Sequence, residues 1–311
     1  MHPTKDQKLR VIYIHNGLRW SSYSHNRTWY EGLLRHCNVV ETRYISASET
    51  RPFHLRNTKK ADVVIVNGYQ TPVPKTPVFK AVMGASDPPW FNERRLLASD
   101  VYFTISEDVA NHYTDKAVYL PHHTDPRYFK EMKLPKVYDC VFAGRIDHKF
   151  KRNRYDIITA LRRLGLYVLF VGGGGGKNPN HPDDLGFVDG EKLVHAYCSA
   201  KFSIDLTNQS AEVGSRLFQA ASCGVASITI DRPDIRKLFV EEKEILFYPS
   251  AFEAAETILR YVDSVDHVEI GRRAKERALA EHTIDHRVQR LITEIKTRKQ
   301  KKDGEECREL L

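Results

Sequence analysis

Short apolar runs, each closed by polar turn-forming residues, recur along the whole chain. The first is Val11-Ile12-Tyr13-Ile14, which stops at His15-Asn16-Gly17, a turn signal. A short continuous apolar run bounded in this way predicts a buried strand. Further strands are predicted over 39–45, 61–67, 78–83, 101–105 and 117–120. Between the first two, residues 24–36 carry Trp29, Leu33 and Leu34 on one side of a helix. Ser106, with Glu107 and Asp108 behind it, is a helix start placed directly after a strand. Strands alternating with helices predict a parallel sheet wound on both faces.

The plan repeats after residues 126–137, a charged, proline-bounded stretch that reads as a linker. Strands are predicted over 138–143, 167–171, 202–206, 226–230 and 245–248. Helices are predicted over 155–164, 191–199, from 215 to the Cys223-Gly224 pair, and near 235–240, 252–262, 268–279 and 285–296. The expected architecture is α/β: two doubly wound Rossmann-like domains, 1–125 and 138–284, facing each other across a cleft. Residues 285–311 form a last helix and basic tail, the helix crossing back to the first domain. In open α/β sheets ligands bind beyond the carboxyl ends of the strands. Those ends carry His15-Asn16-Gly17, Asp87, His122-His123, Gly144-Arg145, the run 172–176, and 210–216.

One of these ends has the chemistry of an anion site. A polar run from Asn208 leads to Gly214, and a helix starts at Ser215. Backbone amides and helix dipole there both favour negative charge, and Arg216 adds a full positive one. An ordinary strand-loop-helix joint explains the same residues. Arg145 follows its strand directly and suits a diphosphate; Lys151 and Arg152 read as a solvated basic patch. The run 172–176 fails both phosphate fingerprints, because Val171 stands where a P-loop needs its first glycine and Asn178 follows Lys177. It reads as a loop where backbone comes close to a ligand. Asp87, on the stiff loop Ser86-Asp87-Pro88-Pro89, is a general base or a turn carboxylate capping its own backbone. Adjacent His122 and His123 point opposite ways in an extended segment, and His282 and His286 lack the H-E-x-x-H pattern, so no metal site is expected. No nucleophile triad is recognisable, and Cys223 reads as buried and inert.

Bulk composition narrows the classes. The 311 residues suffice for two domains. A net charge of +8 suits a polyanionic partner such as DNA, although Lys296, Arg298, Lys299, Lys301 and Lys302 read as a solvated tail. Five scattered cysteines without a C-x-x-C predict reduced thiols and a cytoplasmic location. No signal-peptide core and no long apolar span are present, so membrane contact is expected to be peripheral at most.

Several segments, in order, resemble the GT-B glycosyltransferases of the group 1 or family 4 type, and within them the CgeB-like spore-maturation branch. They are Phe103-Thr104-Ile105-Ser106, Val118-Tyr119-Leu120-Pro121 with Asp125-Pro126 and Phe129, Phe142-Ala143-Gly144-Arg145, Leu169-Phe170-Val171-Gly172, and Gly186-Phe187-Val188. The most specific runs from Ser215 through Arg216, Phe218 and Gln219 to Cys223-Gly224 and resembles the family's R-x-F-E-A-x-A-C-G segment. The resemblance implies a retaining, metal-independent transfer from a nucleotide sugar, a UDP-sugar, with no further cofactor. It implies that Gly144, Arg145, Lys149, Gly214, Ser215 and Arg216 meet the diphosphate and that Gly186 and Phe187 lie near the nucleobase. His15, Asn16 and Gly17 would lie on the acceptor side, with Asp87 or His122 as base if the reaction inverts. The acceptor is open: hydroxymethylated DNA bases, cell-wall polymer, lipid or protein. Two positions depart from the pattern. The family's ribose-binding glutamate falls on Gln219, and its upstream acid falls on Ala211, with Glu212 one place late. They keep open a rival reading, a catalytically weak GT-B scaffold that binds nucleotide or nucleic acid.

Overall fold

The computed structural model describes residues 8–17, 25–46, 48–49, 51–56, 58–68, 71–84, 91–144, 152–172, 184–188, 190–206 and 213–309. The chain divides into two compact units: Met1–Pro121 with Ile284–Leu311, and His122–Thr283. In the first, Arg10–His15 (β1), Asn38–Tyr44 (β2), Val63–Asn67 (β3), Phe79–Met83 (β4), Val101–Thr104 (β5) and Ala117–Tyr119 (β6) form a parallel sheet in the order β2-β1-β3-β4-β5-β6. β3 is buried at every position, as a central parallel strand with both faces covered must be. Helices His25–His36 (α1), Glu93–Leu97 (α2) and Glu107–His112 (α3) connect these strands. Ser106 Oγ accepts from Val109 N at 3.3 Å and caps α3, as its sequence predicts.

In the second unit, Tyr138–Ala143 (β7), Val168–Val171 (β8), Ala200–Asp205 (β9), Ala226–Ile230 (β10) and Leu246–Tyr248 (β11) run parallel in the order β11-β10-β9-β7-β8. Its helices are Arg152–Arg163 (α4), Gly190–Cys198 (α5), Ser215–Ser222 (α6), Pro233–Arg236 (α7), Ala254–Ser264 (α8) and His267–Glu281 (α9). Phe142, Phe170, Phe202 and Ile228 pack with the helices on one face of the sheet, while Leu217, Phe218, Phe239 and Ala274 form a core on the other. Residues 126–137 belong to this unit, with Phe129 fully buried.

The last helix, Ile284–Glu309 (α10), returns to the first unit. Ile284, Val288, Leu291 and Ile295 recur every three or four residues and are all buried in that unit's core. Gly32 on α1 makes room for them: a Cβ there would stand 2.9 Å from Val288 Cγ2. The basic residues near the end of the chain are helical, with Lys296 and Lys301 exposed to solvent as expected and others engaged by acids. They continue α10, where Lys299 pairs with Asp303 at 2.8 Å and Lys302 reaches Asp100 at 2.9 Å. Acids four residues downstream of the lysines favour helix over coil. Among the described residues, no helix is long and apolar enough to cross a membrane.

Candidate functional site

In both sheets the strand order reverses beside the first strand, between β1 and β3 and between β7 and β9. Connections leave such a switch point in opposite directions and open a crevice at the carboxyl ends. Within the second unit that crevice lies between Gly144, after β7, and Asp205, the last residue of β9.

Glycines bring the backbone together at this edge. A Cβ on Gly172, just after β8, would run into the Gly144 carbonyl oxygen. A Cβ on Gly144 would stand 2.9 Å from Phe142 Cζ and 3.3 Å from Arg216 Nη1. Gly172 N donates to Gly186 O at 2.8 Å, which sets the 184–188 segment beside the end of β8, where Phe187 is 68% exposed. The sequence-predicted Gly144, Gly186, Phe187 and Arg216 thus share one edge.

The helix α6 begins at this edge. Leu217, Phe218 and Ala221 bury one face of it, and Gly224 at φ +70° follows its end. Its N-cap is Gly214, which has no side chain to occupy the first amides. In its first turn Arg216 is 29% exposed and its Nε stands 3.7 Å from Asp205 Oδ1. Tyr248 Oη donates to Asp205 O at 3.0 Å, and Arg154 Nε to Leu206 O at 2.5 Å. Burial raises the Tyr248 pKa, so its hydroxyl remains a donor at any ordinary pH. Gln219, one turn into α6, is buried, and its Oε1 accepts from Tyr197 Oη at 3.5 Å. Asp205, Arg154 and Tyr248 escaped the sequence reading. Asp205 left one signal, an acid at the end of a strand whose Phe202 and Ile204 are apolar; the other two left none.

The first unit's switch point is built from neutral amides. Asn26 Nδ2 donates to Asn16 Oδ1 at 2.8 Å and to Gly17 O at 2.9 Å. Asn67 Nδ2 donates to Tyr13 Oη at 2.7 Å. Gly17 N donates to His15 Nδ1 at 3.1 Å, which requires that nitrogen to be unprotonated. Burial lowers the His15 pKa and favours the same neutral form, with the proton on Nε2. His122 is half-buried at the start of the second unit, and His123 beside it is buried. The nearby Asp125 is held by Arg127 through two side-chain hydrogen bonds of 2.9 and 2.5 Å. Asp87, Arg145, Lys149, the glycines 173–176 and residues 207–212 lie outside the described residues. Among the described residues, no three His, Cys, Asp or Glu side chains converge as a metal site would require.

Solved structures place this architecture. Sucrose-phosphate synthase (tll1590) from Thermosynechococcus elongatus is 15% identical, over 93% of this chain and 100% of that one, with a TM-score of 0.62. AviGT4, a glycosyltransferase involved in avilamycin A biosynthesis, is 15% identical over 94% and 98%, with a TM-score of 0.65. The fold is GT-B. Anabaena Alr3699/HepE, solved in complex with UDP and glucose, shares it at 10% identity over 93% and 99%, TM-score 0.65. Residues 152–293 also match the model of a family described as "Glycosyl transferase-like". That match spans α4 to α10 and includes the whole α6 segment. No curated protein matches the chain. The family match covers 142 of the 311 residues, and the structural likenesses show the fold. In GT-B terms, the edge formed by Gly144, Gly172, Gly186 and α6 belongs to the C-terminal unit.

Proposed function

We propose that this protein is a GT-B glycosyltransferase of the CgeB-like branch that moves a sugar from a nucleotide sugar to an acceptor hydroxyl, with retention and without a metal. The observation that carries the reading is the uncapped start of α6 with Arg216 across the ends of β7 and β9, at the switch point of a doubly wound sheet. Its amides and guanidinium suit a diphosphate. Phe187, exposed at the end of β8, offers a ring for the nucleobase to stack on. HepE was solved with UDP and glucose, and by that likeness the donor is a UDP-sugar.

In the transfer, the anomeric C–O bond to the diphosphate breaks as the acceptor oxygen bonds to the anomeric carbon, and the acceptor's hydroxyl proton passes to the departing phosphate oxygen. Charge grows on the departing phosphate oxygen. The α6 amides, Arg216 and Arg145 stabilise it there, where pre-oriented donors are most effective. The acceptor belongs to the N-terminal unit, where the His15–Asn16–Gly17 turn and Asn26 form a neutral hydrogen-bonding surface suited to hydroxyl groups.

The experiment is calorimetry with a panel of nucleotide sugars on the wild type and Arg216→Ala. We expect the variant to bind its donor about 10- to 100-fold more weakly, the range for losing a charge-assisted contact. Equal affinities would sink the site assignment. Gln219 supports a second reading, a GT-B scaffold with weak or no transferase activity, because a buried amide stands where the family has an acid. Donor hydrolysis, followed as released nucleoside diphosphate, separates the two: binding without turnover favours the scaffold.

A further inference from the structure

The geometry points to Asp205 as the positioning residue of the diphosphate site: its carboxylate holds the Arg216 guanidinium across the ends of β7 and β9. This inference rests on the donor-site reading of α6. Asp205 is almost fully buried, with its side chain 2% exposed. A carboxylate in that setting is costly unless it is paired. Arg216 faces it at 3.7 Å, an ion-pair distance too long for a hydrogen bond through Nε. Nε itself is buried, so the guanidinium is oriented there by charge, and its Nη donors are the ones a ligand would meet. On the other side, Nη1 lies 3.3 Å from the point a Gly144 Cβ would occupy, so the absent side chain leaves the space that the guanidinium spans.

The anchor is itself fixed. Tyr248 holds the Asp205 carbonyl, and Arg154 holds the next one, at Leu206. Arg154 is buried and lies over the Phe142 ring at 5.6 Å, which packs the clamp into the core. Ordering an arginine before the ligand arrives removes an entropy cost from binding. A carboxylate near an anion site also repels the anion, and this opposition makes the sign of the test informative. If Asp205 only neutralises Arg216, removing its charge tightens binding. If it positions Arg216, removing its charge weakens binding.

The test is calorimetry on the full chain with whichever of UDP, GDP, ADP, CDP and dTDP the wild type binds tightest. Wild type, Asp205→Asn, Arg216→Ala and the double variant are compared. Asp205→Asn is expected to weaken binding about 5-fold or more, and to add nothing to Arg216→Ala. That non-additivity is what a merely structural role would not produce. Affinity in Asp205→Asn equal to or tighter than wild type overturns the inference, as do additive losses. Should Asp205→Asn not fold, Arg216→Lys decides. It keeps the charge but not the planar fork, so a loss approaching that of Arg216→Ala supports positioning and near-wild-type affinity overturns it. Arg216→Ala without effect would overturn the donor-site reading and the Asp205 role with it. Failure of the wild type to bind any of the five diphosphates would do the same.

Discussion

At the residue scale, the candidate site depends as much on absent side chains as on present ones. Gly172 lies against the Gly144 carbonyl, and Gly144 lies under Arg216. Both glycines could be read in the sequence as strand-end glycines. Their mutual contact could not, because 28 positions separate them in the chain and only the β7–β8 pairing brings them together. Gly172→Ala forces a methyl into backbone that has little room to yield. It is expected to cost about 2–3 kcal/mol, in the range of core overpacking, measured by urea denaturation. A stability equal to wild type would show that the two strand ends do not approach as closely as described. Asp205 makes the same point with charge. The residue ends the strand β9, yet its surroundings come from Arg216, Tyr248 and Arg154, supplied by three other elements.

At the element scale, α6 was the most legible part of the chain. Apolar spacing and the terminal glycine predicted its span, and the structure gives Ser215–Ser222 with Gly224 just beyond. Tertiary packing added direction: the buried Leu217, Phe218 and Ala221 turn its start toward the edge that carries Gly144. Gly214 as N-cap leaves the first turn without a side-chain partner, which separates helix stability from ligand affinity. Gly214→Asp would cap the helix with a carboxylate and fill the same amides. We expect a thermal midpoint equal to or slightly above wild type, because Asp exceeds Gly as a cap by only a few tenths of a kcal/mol. Nucleoside diphosphate affinity should fall about 10-fold or more. A variant binding as tightly as wild type would remove α6 from the anion site. The short α7 shows the opposite case. Apolar residues over 235–240 predicted a longer helix, but it spans only Pro233–Arg236, and Leu238 and Phe239 serve the core from the turn that follows.

At the scale of the whole molecule, the first unit is completed by the end of the chain. α10 supplies four fully buried residues to its core, and Lys302 ties the helix to Asp100. Burial alone would raise the Asp100 pKa. Hydrogen bonds from Lys302 Nζ at 2.9 Å and Lys80 N at 2.7 Å outweigh it, and the pKa is lowered. The stabilisation is present above the unfolded value of about 4 and is lost as pH falls through the depressed folded value. Asp100→Asn is therefore expected to cost about 2 kcal/mol at neutral pH and to flatten the decline of stability below pH 4. An unchanged acid limb in pH-dependent denaturation would exclude this role. The sequence by itself determined the alternation of strands and helices, two parallel sheets and the span of α6 between its glycines, because these depend on local periodicity and turn chemistry. Tertiary structure alone decided which strand ends become neighbours, that the basic tail is a docked and ion-paired helix, and that Asp205 faces Arg216. Strand order and side-chain pairing depend on contacts between residues far apart in the chain, and no local pattern encodes them.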